Sequence, residues 1–176
     1  MARIVIGAAL AIVLSALTAD AQSPYAGQES RPIKALSSEE IADYLAGKGL
    51  GLAKAAELNG YPGPKHVLEL AGELNLTPDQ KARTEALFRT MQARAIALGT
   101  ALVEEERALD RLFQSHAVTP ETLAGSLARI GALQGQVRQV HLDAHLEQTA
   151  LLTQDQVRRY NHLRGYANQG HQPHRH

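Results

Sequence analysis

The sequence predicts an all-α protein of about four main helices, in an elongated antiparallel arrangement. Three observations carry that expectation. Aromatic residues are only 4% of a chain that is 44% apolar, so the core must be built from Leu, Ala, Val and Ile, which suit closely packed helices. Apolar residues recur at steps of three and four along two long stretches, the spacing of one helix face. Helix-start chemistry recurs too: Ser37, Thr77 and Thr153 are each followed three residues later by Glu or Gln, the capping-box pattern. No stretch alternates in the manner of a strand.

The first element is an export signal. Arg3 precedes an uncharged, mostly apolar run from Ile4 to Leu17, and Ala19-Asp20-Ala21 supplies an A-x-A cleavage pattern. The run is shorter than the roughly 20 residues that span a bilayer. Residues 1–21 are therefore expected to be removed, leaving a periplasmic chain that does not span the membrane. With no Cys in the chain, a lipid anchor is excluded, and an oxidising compartment suits the composition.

Residues 22–36 hold Ser, Pro, Gly and Gln with little periodicity and read as a flexible leader. The helical domain is expected over 37–168. Its first helix opens at Ser37 with Glu40 and continues through Ile41, Tyr44 and Leu45. Gly47, Gly49 and Gly51 weaken its middle, each by about 1 kcal/mol relative to Ala. The stretch Asn59-Gly60-Tyr61-Pro62-Gly63-Pro64 ends it. A short helical stretch follows from Lys65 to Leu74.

Leu76-Thr77-Pro78-Asp79-Gln80 opens a long helix. Thr77 is a natural N-cap, Pro78 occupies the position that needs no amide, and Asp79 favours the positive helix end. The helix should run to about His116 with the stripe Leu87, Met91, Ala95, Leu98, Leu102, Leu109 and Leu112, interrupted at Glu105. Thr119-Pro120 starts the next, with Leu123, Leu127, Ile130, Leu133, Val137, Val140, Ala144 and Leu151. Gly125, Gly131 and Gly135 inside it predict bending or close backbone approach. Leu152-Thr153-Gln154-Asp155-Gln156 opens a last helix carrying Val157, Tyr160, Leu163 and Tyr166. Residues 169–176 form a His-rich end expected to be disordered.

The pentapeptide Leu-Thr-x-x-Gln thus occurs twice, as Leu76, Thr77 and Gln80 and as Leu152, Thr153 and Gln156. Behind a signal peptide in a small helical chain, this pattern resembles the Spy/CpxP family of periplasmic proteins, also called the LTxxQ family. The family includes envelope-stress chaperones, a zinc-resistance-associated branch and periplasmic heavy-metal sensors. The stretches 60–76 and 160–166 look most like the metal-sensor relatives. The resemblance implies a helical hairpin that pairs into a cradle-shaped homodimer. It also implies an ATP-independent chaperone or adaptor that binds apolar segments of unfolded or stressed envelope proteins. The stripe Leu87, Met91, Leu98, Leu102 and Leu109 is the candidate client surface. The alternative is a metal-binding or metal-sensing protein acting with a membrane-bound regulator.

Metal chemistry has its own residues. His141 and His145 stand at i, i+4, which places both imidazoles on one helix face, about 6 Å apart at Cβ. A complete site needs further ligands, and His66, His162, Glu147 or a residue of a second subunit are the candidates. The plain alternative is two surface histidines beside Ala144. His171, His174 and His176 form a second cluster at the chain end. Neutral imidazole suits Zn²⁺, Ni²⁺, Co²⁺ and Cu²⁺, so no cofactor is required but one of these ions is a candidate.

Charge excludes another class. Lys and Arg number 18 and Asp and Glu number 18, and losing Arg3 and Asp20 with the signal keeps the balance. A neutral chain is a poor non-specific nucleic-acid binder. No enzyme is expected either: there is no Cys nucleophile, Gly-x-Ser-x-Gly elbow, phosphate-binding glycine loop or His-Glu-x-x-His.

Overall fold

A computed structural model describes residues 23–166. These are all-helical, with six helices and no strand: α1 (Ser38–Leu45), α2 (Lys54–Glu57), α3 (Pro64–Glu69), α4 (Pro78–Gln114), α5 (Pro120–Leu151) and α6 (Gln154–Leu163). Among the described residues no helix is long and apolar enough to cross a membrane.

Four of the six helices open on a side-chain cap. Ser37, Thr77, Thr119 and Thr153 each accept a hydrogen bond from the amide three residues on, and each capping box is reciprocal. Pro78 and Pro120 follow two of these caps, where a missing N–H costs nothing.

Among the described residues, the longest helices, α4 and α5, make the largest contact between elements. Met91 and Ala95 pack with Val140 and Ala144. Gln148 Nε2 donates to Thr84 Oγ1 (3.2 Å) at one end, and Arg129 Nε donates to Glu105 Oε2 (2.9 Å) towards the other. Residue numbers thus rise along one helix as they fall along its neighbour. The N-terminal elements cover one side of this pair: α1 and α3 lie on α4, and α2 and α3 touch α5.

Two N-terminal expectations are corrected. The leader is anchored over its last residues: Ile33 is fully buried and Leu36 nearly so, packed with Val103, Ile41 and Tyr44. The Lys34 amide donates to Asp110 Oδ1 (3.3 Å). Two apolar residues at a spacing of three proved enough to tie the segment to α4. The first helix, expected through to Asn59, breaks into α1 and α2. Gly47 turns the chain in the left-handed region (φ +63°), where a Cβ would stand 3.0 Å from Gln92 O. Three glycines in five residues thus end a helix rather than weaken it.

Close backbone approach also occurs elsewhere than expected. A Cβ at Gly131 or Gly135 would meet nothing within 4 Å, whereas one at Gly99 would lie 2.4 Å from Tyr44 O. Gly99 is what lets the end of α1 rest directly on α4.

Candidate functional site

The two Leu-Thr-x-x-Gln stretches meet in space. Gln80 Nε2 donates to Gln156 Oε1 (2.9 Å) and Gln156 Nε2 donates back to Gln80 Oε1 (3.0 Å). The second proton of each amide goes to a carbonyl, Leu151 O from Gln80 (2.9 Å) and Leu74 O from Gln156 (3.3 Å). Each Oε1 also accepts its own motif's Thr amide, Thr77 N (3.1 Å) and Thr153 N (2.9 Å). Both glutamine side chains are therefore fully satisfied. Leu76 and Leu152 pack on the cluster of Val67, Leu74 and Tyr160 beneath them. This motif pair is a clasp that fastens the start of α4 to the start of α6.

A cavity of about 490 Å³ lies between the α1–α2 connection, the start of α3, and α4 and α5. His66, His141 and His145 all line it, with Phe88, Met91 and Gln92 from α4. The pair predicted from i, i+4 spacing is not on the surface. His141 is 4% exposed, and its Nε2 is buried without a hydrogen-bond partner. Burial holds its pKa below the ordinary imidazole range, with the charge of His145 acting in the same direction.

The other two rings are braced from behind. His145 Nδ1 lies 2.7 Å from Tyr61 O, and His66 Nδ1 lies 2.7 Å from Glu69 Oε2. Both partners only accept, so Nδ1 carries the proton in each ring and Nε2 holds the lone pair when the ring is neutral. Hydrogen bonding to His66 keeps the Glu69 carboxyl below its usual range. The His145 ring packs against Gly63, where the lack of a side chain leaves it room: a Cβ there would stand 2.8 Å from its Cε1.

Behind His145 sits a polar cluster that the sequence did not reveal. Glu57 Oε1 accepts from Tyr160 OH (2.6 Å) and Tyr166 OH (3.1 Å), and Arg164 Nε stands 3.4 Å away. Glu57 Oε2 is 3.7 Å from His145 Nδ1 and has no hydrogen bond of its own. Burial, and then the bond to Glu57, push the Tyr160 hydroxyl well above the ordinary phenol range. These groups lie about a hundred residues apart along the chain, so no local pattern could have found them.

Other expected ligands are elsewhere. His162 is exposed on α6, and Glu147 lines a different groove. His171, His174 and His176 lie outside the described residues. Neutral imidazoles with free Nε2 atoms fit a borderline transition-metal ion as donors. Among the described residues, however, no three His, Asp or Glu side chains converge closely enough to hold an ion as they stand.

The second concavity is an open groove of about 520 Å³ lined by α4 and α5 alone. Leu87, Met91, Val140, Ala144, Ala150 and Leu151 supply apolar lining, Arg83 and Arg94 edge it from α4, and Asp143 and Glu147 from α5. A shallower depression continues it past Leu98. The expected client stripe is thereby corrected. Leu102 is 1% exposed and belongs to the core, Met91 is nearly buried, and Leu109 is half-buried outside the groove. Only Leu87 and Leu98 remain as half-buried groove residues. One apolar stripe on a long helix serves two purposes, and periodicity does not separate them.

Comparison with protein-family models, with curated proteins and with solved structures found no match.

Proposed function

We propose that this chain is an exported, non-enzymatic envelope protein that binds a transition-metal ion, Zn²⁺, Ni²⁺, Co²⁺ or Cu²⁺, in the cavity between α3 and α5. His66, His141 and His145 are its ligands. The observation that carries the reading is the bracing of His66 and His145 through Nδ1, the arrangement that orients ligating imidazoles and raises their basicity. The unpartnered His141 Nε2 supports it, since a buried orphan nitrogen is costly unless something pairs with it.

The ion would supply a cross-link between α3 and α5. The three rings do not converge as they stand, so binding through all three would require the segment carrying His66 to move towards α5. That movement is the signal a membrane-bound regulator would read. The paired Leu-Thr-x-x-Gln stretches, with their resemblance to the Spy/CpxP family, support the periplasmic setting, the hairpin architecture and a cradle-like homodimer.

Calorimetric titration of the chain with each ion tests the reading. A site should appear that is lost in a His141→Ala/His145→Ala variant. Unchanged binding by that variant would refute the helical ligands.

The open α4–α5 groove favours a second reading, an ATP-independent chaperone or adaptor. Its apolar floor and charged edges suit an extended apolar client segment flanked by charges. Suppression of aggregation of a denatured model protein at near-equal molar ratio, weakened by Leu87→Asp, is the expected result. Inactivity at large excess would sink this reading.

A further inference from the structure

His145 has two acceptors at one nitrogen. Its Nδ1 lies 2.7 Å from Tyr61 O and 3.7 Å from Glu57 Oε2. Both acceptors come from one short segment. Glu57 is the last residue of α2, and the chain then turns back through Gly60 (φ +83°), with the Tyr61 amide donating to Ala56 O (3.1 Å). A single N–H serves only one of the two well, and here it serves the carbonyl.

The Glu57 carboxylate is unevenly loaded. The Tyr160 and Tyr166 hydroxyls donate to Oε1 (2.6 and 3.1 Å), and Arg164 Nε stands 3.4 Å from the same oxygen. Oε2 is buried and takes no hydrogen bond. A buried carboxylate oxygen left unpaired is unfavourable, and the His145 N–H is a donor standing just out of its reach. The two side chains are only 12% and 13% exposed, so water and salt screen their interaction weakly. Glu57 does not line the cavity. It faces Nδ1, whereas Nε2 lies on the other edge of the ring, so Glu57 stands behind the imidazole and not among the ligands.

We propose that Glu57 is a positioning residue for the metal ion: when His145 Nε2 ligates it, the Nδ1–H hydrogen bond passes from Tyr61 O to Glu57 Oε2, and the carboxylate holds the ring on the ion. The inference rests on the metal-binding reading above. A ligated imidazole shares the charge of the ion and becomes a stronger donor. A carboxylate gains from such a donor roughly twice what a neutral acceptor does. Bringing Nδ1 and Oε2 from 3.7 Å to ordinary hydrogen-bond length needs a shift of about 1 Å or less. Tyr160 and Tyr166 use the other oxygen, so they keep the carboxylate in place while the ring turns.

Calorimetry with Zn²⁺ on the full chain, on Glu57→Gln, on His145→Ala and on the double variant tests this. Glu57→Gln keeps the size of the side chain and replaces the charged acceptor by a neutral amide. It should lower Zn²⁺ affinity by about tenfold or more. In the His145→Ala background the same substitution should change affinity by less than about twofold, because Glu57 acts through that ring. Affinity unchanged by Glu57→Gln would overturn the inference and leave the cavity reading standing. An equal loss with and without His145 would do the same, since direct ligation or a packing role gives that result. Absence of Zn²⁺ binding by the full chain, or affinity indifferent to His145→Ala, would overturn both. A second measurement needs no variant. A crystal structure of the Zn²⁺-loaded full chain should place His145 Nδ1 within about 3.2 Å of Glu57 Oε2, and Nδ1 still bonded to Tyr61 O would contradict the exchange of acceptors.

Discussion

At the scale of single residues, the most informative contact is the reciprocal amide pair. Gln80 and Gln156 satisfy every donor and acceptor they carry, so removing one leaves buried partners unpaired. Gln80→Ala or Gln156→Ala should each cost about 1–3 kcal/mol. The double variant should cost clearly less than the sum, because the second loss removes a partner already orphaned. Urea unfolding of the four chains measures this, and strict additivity would mean the amides do not act as a pair. The sequence displayed each motif as a cap but not their meeting, since spacing along a chain does not reveal contact across 76 residues.

His141 gives a pH prediction at the same scale. Its pKa is lowered in the folded state, first by burial and then by His145. The unfolded chain therefore takes up the proton first as pH falls. The contribution of His141 should be flat above the ordinary imidazole value. Stability should then drop as pH passes from about 6.5 down to the lowered folded value. His141→Gln should remove that slope in denaturant titrations run at a series of pH values. A slope unchanged by the substitution would assign the acid sensitivity to other groups.

At the scale of elements, helix starts were legible and helix interiors less so. Three capped starts stand where a hydroxyl residue and its Glu or Gln three positions on predicted them, and the fourth stands at the predicted Thr119-Pro120, with Thr122 as the unforeseen partner, because a cap is a local event between neighbours. What a helix packs against is not local. Ile33 and Leu36 gave no periodic signal, yet their burial ties the segment before α1 to α4. Ile33→Ala should destabilise the chain by about 2–5 kcal/mol, as for a fully buried aliphatic residue. A change within about 0.5 kcal/mol, the range of surface positions, would show that this segment is not part of the folded unit. The glycines teach the same lesson. Gly99, unremarked in the sequence, bears the tightest backbone contact, while Gly131 and Gly135 bear none.

At the scale of the whole molecule, the α4–α5 pair borders two concavities of different make-up, and Met91 lines both. The covered face holds the three imidazoles, two of them braced and one buried without a partner. The candidate ligands His141 and His145 were legible from helical spacing, and His66 was one option among several. That His66 joins them and His162 does not depends on how the α2–α3 segment folds back, which composition cannot tell. The open face explains why part of the long apolar stripe is left over once the core is filled.

Zinc-edge X-ray absorption of the loaded chain tests the central claim most directly. The account predicts an inner shell of nitrogens at about 2.0–2.1 Å with the outer scattering of at least three imidazole rings, reduced when His141 and His145 are replaced. An inner shell dominated by oxygen, or one indifferent to that replacement, would contradict it.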